Sequence, residues 1–296
     1  MSSISVSAFG KINLYLNVAS KRSDGYHNIQ TVFQMIDISD LITIKTVDSG
    51  IRIVSNMPIP LDSNNFAYRA ADAFFKEANI NEGIEIRIEK RIPIGSGLAG
   101  GTSDGVSTLL SLNALYKNPL TKKQIFNIAR TIGADGPFFT LGGTVFAEGI
   151  GDIIKESFSC PEMYFLIYFP KFSVSTEWAY NNISSKFLTN QKKDINILLQ
   201  ALRGGEKYKI YEGIFNIFEP LIFEKYGELR VIKEIMLKNN ARAVTLCGSG
   251  SALVGFFDKA TEAFYIQGKV SNPENFRVTK PVKGDVYLKQ FNQWED

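Results

Sequence analysis

Four glycines and three hydroxyl residues fall within the ten positions from Gly95 to Asp104, in the run Pro93-Ile94-Gly95-Ser96-Gly97-Leu98-Ala99-Gly100-Gly101-Thr102-Ser103. Glycines allow positive φ and close backbone approach to a ligand, and free N–H groups at the start of a helix attract anions. A nucleotide polyphosphate is the simplest ligand for such a loop. Gly95, Gly97 and Gly100 satisfy G-x-G-x-x-G. That dinucleotide fingerprint also needs an acidic residue about 20 positions further on, and no Asp or Glu lies between Gly105 and Ala134. No Lys-Ser or Lys-Thr closes the loop, so the P-loop pattern fails as well. A glycine-rich turn without a ligand is the plain alternative.

Other residues could act beside this loop. Asp135 has Gly133 and Gly136 close by and Pro137 two residues on. Little bulk shields it, and its carboxylate fits a general base, a metal ligand or a helix cap. Lys11 interrupts an apolar alternation. It fits either the solvent face of a strand or a cation that stabilises negative charge in a transition state. Asp24-Gly25-Tyr26-His27 carries a hairpin signal, then an aromatic residue and the one histidine of the chain. Tyr26 and His27 could stack on and hydrogen-bond to a planar heterocycle, although a lone histidine is commonly structural. Asp24, Glu148 and Asp152 read as turn-forming or solvated.

The elements that must carry these residues can be read from periodicity. Ile4–Val18 alternates with period 2, which predicts a strand bent at Gly10 with Lys11 and Asn13 on one face. Ile42–Val47 and Ile51–Ser55 read as further strands, as does the alternation of Ile84, Ile86 and Ile88, which leads into the glycine loop. Asn65–Ala78 has helical spacing. A second helix follows the loop, with Thr102 or Ser103 as its cap and Val106, Leu109, Leu110 and Ala114 inward. Thr121 caps a third helix, ended by Gly133. Beyond a soft boundary near Phe158, Met163–Phe169 reads as a buried strand, and Asp194–Leu202, Gly213–Phe223 and Glu228–Asn239 as helices. Ala241–Phe257 reads as strand, small-residue turn at Cys247-Gly248-Ser249-Gly250-Ser251, and strand. The elements mix without regular alternation, which favours α+β over a doubly wound sheet.

Composition narrows the class. A length of 296 residues fits one large domain or two ordinary ones, and 45% hydrophobic residues support a sizeable core. A net charge of +3 is too small to argue for nucleic acid or a membrane surface. Two cysteines make no disulfide framework, and a reducing, cytoplasmic setting is expected. The first ten residues lack a signal-peptide pattern, and no apolar run is long enough to span a bilayer. One histidine and no Cys/His cluster argue against zinc.

Taken together, the loop, Lys11-Ile12-Asn13-Leu14, Asp24-Gly25-Tyr26-His27, Gln30–Gln34, Gly133-Ala134-Asp135 with Pro137-Phe138-Phe139, Phe146–Gly151 and Gly248-Ser249-Gly250 resemble the GHMP kinases. The closest likeness is to the branch acting on a cytidylated methylerythritol. The resemblance covers most of the first 160 residues and is thin between Asn181 and Asn240. It implies a two-domain α+β architecture with the active-site cleft between domains: residues 1–158 for nucleotide binding and catalysis, and 159–296 on the substrate side. It implies ATP-dependent phosphorylation of the 2-hydroxyl of 4-diphosphocytidyl-2-C-methyl-D-erythritol, with ATP and Mg²⁺, no dedicated protein metal site, and a monomer or homodimer. Lys11 and Asp135 fall on the family's catalytic pair. Pro93, Ile94, Gly95, Ser96, Gly97, Leu98, Ala99, Gly100, Gly101, Thr102, Ser103 and, outside the loop, Asn65 fall on the ATP site. Asn13, Tyr26, His27, Thr176 and Tyr180 fall on the acceptor site. Four positions depart from the pattern: Ala99, Asp104, Gly136 and Cys247. Ala99 should require negative φ, and Asp104 should add charge near the phosphates. Two other readings are a GHMP kinase for another small alcohol and a non-catalytic sensor of the same fold.

Overall fold

The computed structural model describes residues 2–183 and 193–291. Two long strands, β1 (Ser3–Lys21) and β2 (His27–Val47), form an antiparallel hairpin. Its turn holds Asp24-Gly25, as the hairpin signal predicts. Register slips between Phe9 and Lys11, between Asn13 and Tyr15, and between Val18 and Ser20. The bend expected at Gly10 is therefore the first of three irregularities in one continuous strand. β3 (Ile51–Ser55) and β4 (Gly83–Glu89) extend the sheet on the β2 side. β5 (Thr144–Glu148) and β6 (Ile153–Phe158) add a hairpin to the other half of β2.

Helices α1 (Phe66–Ala78), α2 (Gly100–Leu115), α3 (Lys122–Ile132) and α4 (Gly136–Phe139) cover one face of this sheet. Ile84, Ile86 and Ile88 on β4 point into that layer and are fully buried. They meet Ala67, Ala70, Ala71 and Phe74 on α1 in one apolar cluster. α2 is buried on nearly all sides from Ser103 to Asn113, not along a single stripe. Its small residues allow this. A Cβ on Gly105 would stand 2.8 Å from Ile132 and 3.1 Å from Phe66.

The opposite face of β1 and β2 meets a second sheet of β7 (Tyr164–Tyr168), β9 (Ala243–Leu246), β10 (Leu253–Phe257) and β11 (Phe276–Thr279), in the order β11-β7-β10-β9. Ile12, Leu14, Val32 and Ile36 pack there against Phe165, Ile167, Val254 and Phe256, joined by α6 (Ile195–Gly204) and α7 (Lys207–Gly213). On the far face of the second sheet lie α5 (Thr176–Asn182), α8 (Glu219–Lys225), α9 (Gly227–Lys238) and α10 (Ala260–Lys269).

The single helix expected over Gly213–Phe223 is interrupted. Phe215–Asn216 forms a short strand, β8, parallel to β1 at Tyr15 and Leu16. The Asn216 side chain accepts from the Phe218 backbone N–H, and Pro220 opens α8. The last described helix, α11 (Gly284–Lys289), returns to the first core with Tyr287 and Phe291. No helix among the described residues is long and apolar enough to cross a membrane.

Candidate active site

The strand alternation carries Lys11 and Asn13 onto the side of β1 away from Ile12 and Leu14, where Phe33, Asp135 and the Gly248 turn close over them. Both are buried, so the solvent-face reading of Lys11 does not hold. The Lys11 ammonium lies 3.4 Å from Asp135 Oδ2, donates to Asn13 Oδ1 at 3.0 Å and sits 5.3 Å from the centre of the Phe33 ring. Asp135 stands just before the first residue of α4, at the N-cap position, but makes no capping hydrogen bond, which removes the cap reading. Its side chain keeps 24% exposure toward a cleft of about 670 Å³. Gly136 lets this turn close: a Cβ there would lie 1.9 Å from the Ala129 carbonyl oxygen.

The cleft gathers residues from distant parts of the chain. Lys11, Asn13, Tyr26, His27, Asp135, Thr176 and Tyr180 all line it. His27 and Tyr180 pair with ring centroids 5.3 Å apart and planes tilted by 36°, and Tyr180 rests edge-on against Phe218. Burial, with Lys21 adding to it, lowers the His27 pKa and favours a neutral imidazole with one donor and one acceptor. Burial, then the charge of Asp135, raises the Tyr180 phenol and keeps it protonated. Tyr26 is 60% exposed at the mouth. Thr176 receives a hydrogen bond from the Ser249 hydroxyl at 3.1 Å.

A second cavity of about 370 Å³ lies along the glycine loop and is walled on the other side by Ile59, Pro60, Asn65 and Phe66. Asn65 caps α1 by accepting from the Ala67 N–H and donates to the Pro60 carbonyl. Of the loop residues expected at the nucleotide, Pro93, Ile94, Gly95, Ser96, Gly97, Ala99, Gly100, Gly101 and Thr102 line this cavity. Leu98 points into the core instead, and the Ser103 hydroxyl donates to the Phe9 carbonyl. Neither Ser103 nor Thr102 caps α2: Ala99 occupies that position, without a side-chain bond. The two cavities meet at Phe66, Gly97, Ala99 and Thr102.

Two departures from the expected pattern are resolved here. Ala99 has φ 57° and ψ 32°, a left-handed conformation and not the negative φ its side chain predicts. The loop holds it there: Lys11 N–H donates to the Leu98 carbonyl and Ser103 N–H to the Ala99 carbonyl. Asp104 does not add free charge. It is buried and pairs with Lys90 at 2.8 Å, while Lys90 also contacts Asp40. Asp40 in turn accepts from the backbone N–H groups of Arg91 and Ile92. Burial pushes the Asp104 pKa up to about 8; Lys90 opposes the rise and Asp40 adds to it. Burial lowers the Lys90 pKa, but the two carboxylates outweigh it and raise it overall.

The small-residue turn after β9 meets the glycine loop backbone to backbone. Ala252 N–H donates to Ser96 O, and a Cβ on Gly97 would lie 2.3 Å from Cys247 O. Gly248 N–H donates to Asn13 Oδ1, and Asn216 donates to the Gly248 carbonyl. Burial raises the Cys247 thiol to about 12, with Lys11 opposing, so it is no nucleophile at neutral pH. Phe33, Thr31 and the Lys90–Asp40 pair were not among the expected site residues. The signal for Thr31 was a polar residue inside a strand that is buried on both faces.

Comparison with known proteins gives one answer. Residues 65–143 match the GHMP kinases N terminal domain, and residues 192–273 match GHMP kinases C terminal. A 4-diphosphocytidyl-2-C-methyl-D-erythritol kinase of Clostridium acetobutylicum is 37% identical over 273 residues, which is 91% of this chain and 97% of the relative. The enzyme of the same name from Caldicellulosiruptor bescii is 37% identical over 84% of this chain and 88% of its own. A crystal structure of 4-(cytidine 5'-diphospho)-2C-methyl-D-erythritol kinase superimposes with a TM-score of 0.82 at 31% identity, covering 95% of this chain and all of the other. Homoserine kinase from Cytophaga hutchinsonii shares the fold, with a TM-score of 0.77 at 20% identity over 97% of this chain and 96% of its own.

Proposed function

The chain belongs to the GHMP kinases, in the branch of the 4-diphosphocytidyl-2-C-methyl-D-erythritol kinases, and from that premise we propose that it transfers the γ-phosphoryl group of ATP to the 2-hydroxyl of that cytidylated alcohol. The observation that carries the reading is the Lys11–Asp135 pair. It stands 3.4 Å apart in a cleft that joins the loop cavity at Gly97, Ala99 and Thr102. Donor and acceptor can therefore meet at that pair from opposite sides.

In the proposed reaction the loop N–H groups hold the nucleotide phosphates, and Asn65 and Phe66 border the nucleoside. Asp135 accepts the proton of the acceptor hydroxyl as its oxygen forms the new P–O bond. The bond to the ADP oxygen breaks, and ADP leaves with the electron pair. Lys11 offsets the negative charge gathered at this point. Phosphoryl transfer asks mainly for positioning and electrostatic stabilisation, which one base and one cation can supply. The His27–Tyr180 pair, with Tyr26 at the rim, suits a flat heterocycle at the far end of the cleft. Binding energy from that end would align the hydroxyl.

Mg²⁺ fits this donor set as a partner of the phosphates. No group of three His, Cys, Asp or Glu residues able to cage a metal occurs among the described residues. Such an ion keeps phosphate and water ligands and takes one or two from the protein. The Thr102 hydroxyl, which lines both cavities, would hold it, and it would neutralise charge on the β- and γ-phosphates. We also propose that residues 1–158 carry the nucleotide and catalytic groups and residues 159–296 the acceptor wall, with Thr176, Tyr180 and Gly248 reaching into the cleft from the latter.

The deciding experiment measures ADP release with 4-diphosphocytidyl-2-C-methyl-D-erythritol against mevalonate, homoserine and galactose. Turnover with the cytidylated acceptor alone is expected. Turnover only with an acceptor that lacks cytidine overturns the assignment.

A further inference from the structure

We propose that Thr31 is a positioning residue for phosphoryl transfer: its hydroxyl fixes the Asn13 side chain, which in turn holds both Lys11 and the Gly248 turn. The inference rests on the reading of Lys11 and Asp135 given above. The Thr31 hydroxyl lies 2.8 Å from the Tyr15 carbonyl oxygen and 2.8 Å from Asn13 Nδ2. A carbonyl only accepts, so the hydroxyl proton must point to Tyr15. Only lone pairs then remain for Asn13, and the amide must turn its NH₂ toward Thr31. Its oxygen is thereby aimed at the opposite side, where it accepts from Lys11 Nζ at 3.0 Å and from Gly248 N–H at 3.0 Å.

Every bond in this chain has a fixed direction. It runs from the ammonium and the Gly248 N–H, through the amide and the hydroxyl, to a main-chain carbonyl. Thr31 is fully buried and Asn13 nearly so, so no solvent stands ready to replace a lost partner. Without the hydroxyl, the Asn13 NH₂ keeps no acceptor on that side. Flipping the amide would aim its NH₂ at the ammonium and at another donor. The side chain must instead swing toward the cleft and release both Lys11 and Gly248. A buried donor left without its partner corresponds to roughly 5- to 150-fold in an equilibrium, so a fall of about tenfold in kcat is expected.

The test separates the hydroxyl from the methyl group. Thr31→Val keeps the shape and loses the hydroxyl; Thr31→Ser keeps the hydroxyl and loses the methyl. Full-length variants are assayed with ATP and 4-diphosphocytidyl-2-C-methyl-D-erythritol. Thr31→Val is expected to lower kcat about tenfold with a smaller change in the KM for ATP, and Thr31→Ser to restore kcat even if it melts earlier. A normal kcat for Thr31→Val, or a kcat for Thr31→Ser as low as that of Thr31→Val, overturns the proposal and leaves Thr31 as packing. If the valine variant does not fold, Thr31→Ala against Thr31→Ser makes the same comparison, since these two differ only in the hydroxyl. Lys11→Met guards the underlying reading. A normal kcat in that variant refutes the role of Lys11 itself, whereas a low kcat there with a normal Thr31→Val refutes only the link.

Discussion

Replacing Gly97 with alanine tests whether the contact between the glycine loop and the turn after β9 holds the site together. The added methyl carbon would stand 2.3 Å from Cys247 O and 3.0 Å from Gly250 O, with φ at +84°. Ordinary van der Waals contact begins near 3.4 Å, so the two loops must part by about 1 Å. Two costs combine. Left-handed φ costs a non-glycine residue roughly 1–2 kcal/mol, and forced overpacking typically adds about 1–3 kcal/mol. Gly50→Ala isolates the first cost, because Gly50 has φ +76° and open space around its Cβ position. We expect Gly97→Ala to melt lower than Gly50→Ala by roughly 2–12 °C, taking about 2–4 °C per kcal/mol for a domain near this size. It should also bind a non-hydrolysable ATP analogue more weakly, while Gly50→Ala binds it normally. Calorimetry and titration of both variants read this out. Equal melting temperatures and equal nucleotide affinities would show that the loops yield freely and that their contact contributes nothing.

Three further outcomes follow from the site. Asp135→Asn should lower kcat by roughly 10²–10⁴, the range of a general base, with acceptor affinity within a few-fold; a near-normal kcat in steady-state assays makes Asp135 structural. Tyr26→Ala should weaken binding of the cytidylated acceptor by about 5- to 150-fold through lost stacking. Because Tyr26 is 60% exposed, melting temperature and nucleotide affinity should barely move, and equal loss of both ligands in titration calorimetry sinks the stacking role. Asp104→Asn should flatten the pH dependence of stability. The folded pKa of Asp104, near 8, lies above the ordinary carboxylate value. Its stabilising share is therefore complete below about pH 4 and lost as pH rises toward about 8. Melting curves from pH 5 to pH 9 should show wild type losing stability relative to the asparagine variant; parallel curves refute the assignment.

The pattern of residues carried much of this. Alternation in β1 and β4, the α1 stripe and the Thr121 cap are local signals, and each appears where its period or cap chemistry put it. The misses have tertiary causes. Lys11 reads as a solvent-facing lysine or a functional one, and only Asp135 and the turn after β9, brought over β1 from distant parts of the chain, decide between them. Ala99 takes left-handed φ because flanking backbone bonds outweigh its own preference. Ser103 is drawn from capping by a carbonyl on β1, and Gly213–Phe223 is broken by a strand pairing with a segment some two hundred residues earlier. Asp104 reads as added charge near the phosphates because its partners, Asp40 on β2 and Lys90 just after β4, come from other parts of the chain. No window of sequence around any one of them contains the other two.

The β1–β2 ladder also sets a length. Lys11 is paired with Met35 and Lys21 with His27, so the cation and the imidazole are mounted on the same two strands. Each residue of strand advances about 3.3 Å, and the separation between them is counted in whole residues. Removing one residue would turn every following side chain to the other face. Removing two from each strand would keep the faces and bring the ends closer by roughly 7 Å. In the proposed reaction the hairpin is thus a gauge: an acceptor whose hydroxyl lies too near its ring, or too far, would not reach both ends at once, whatever its chemical groups.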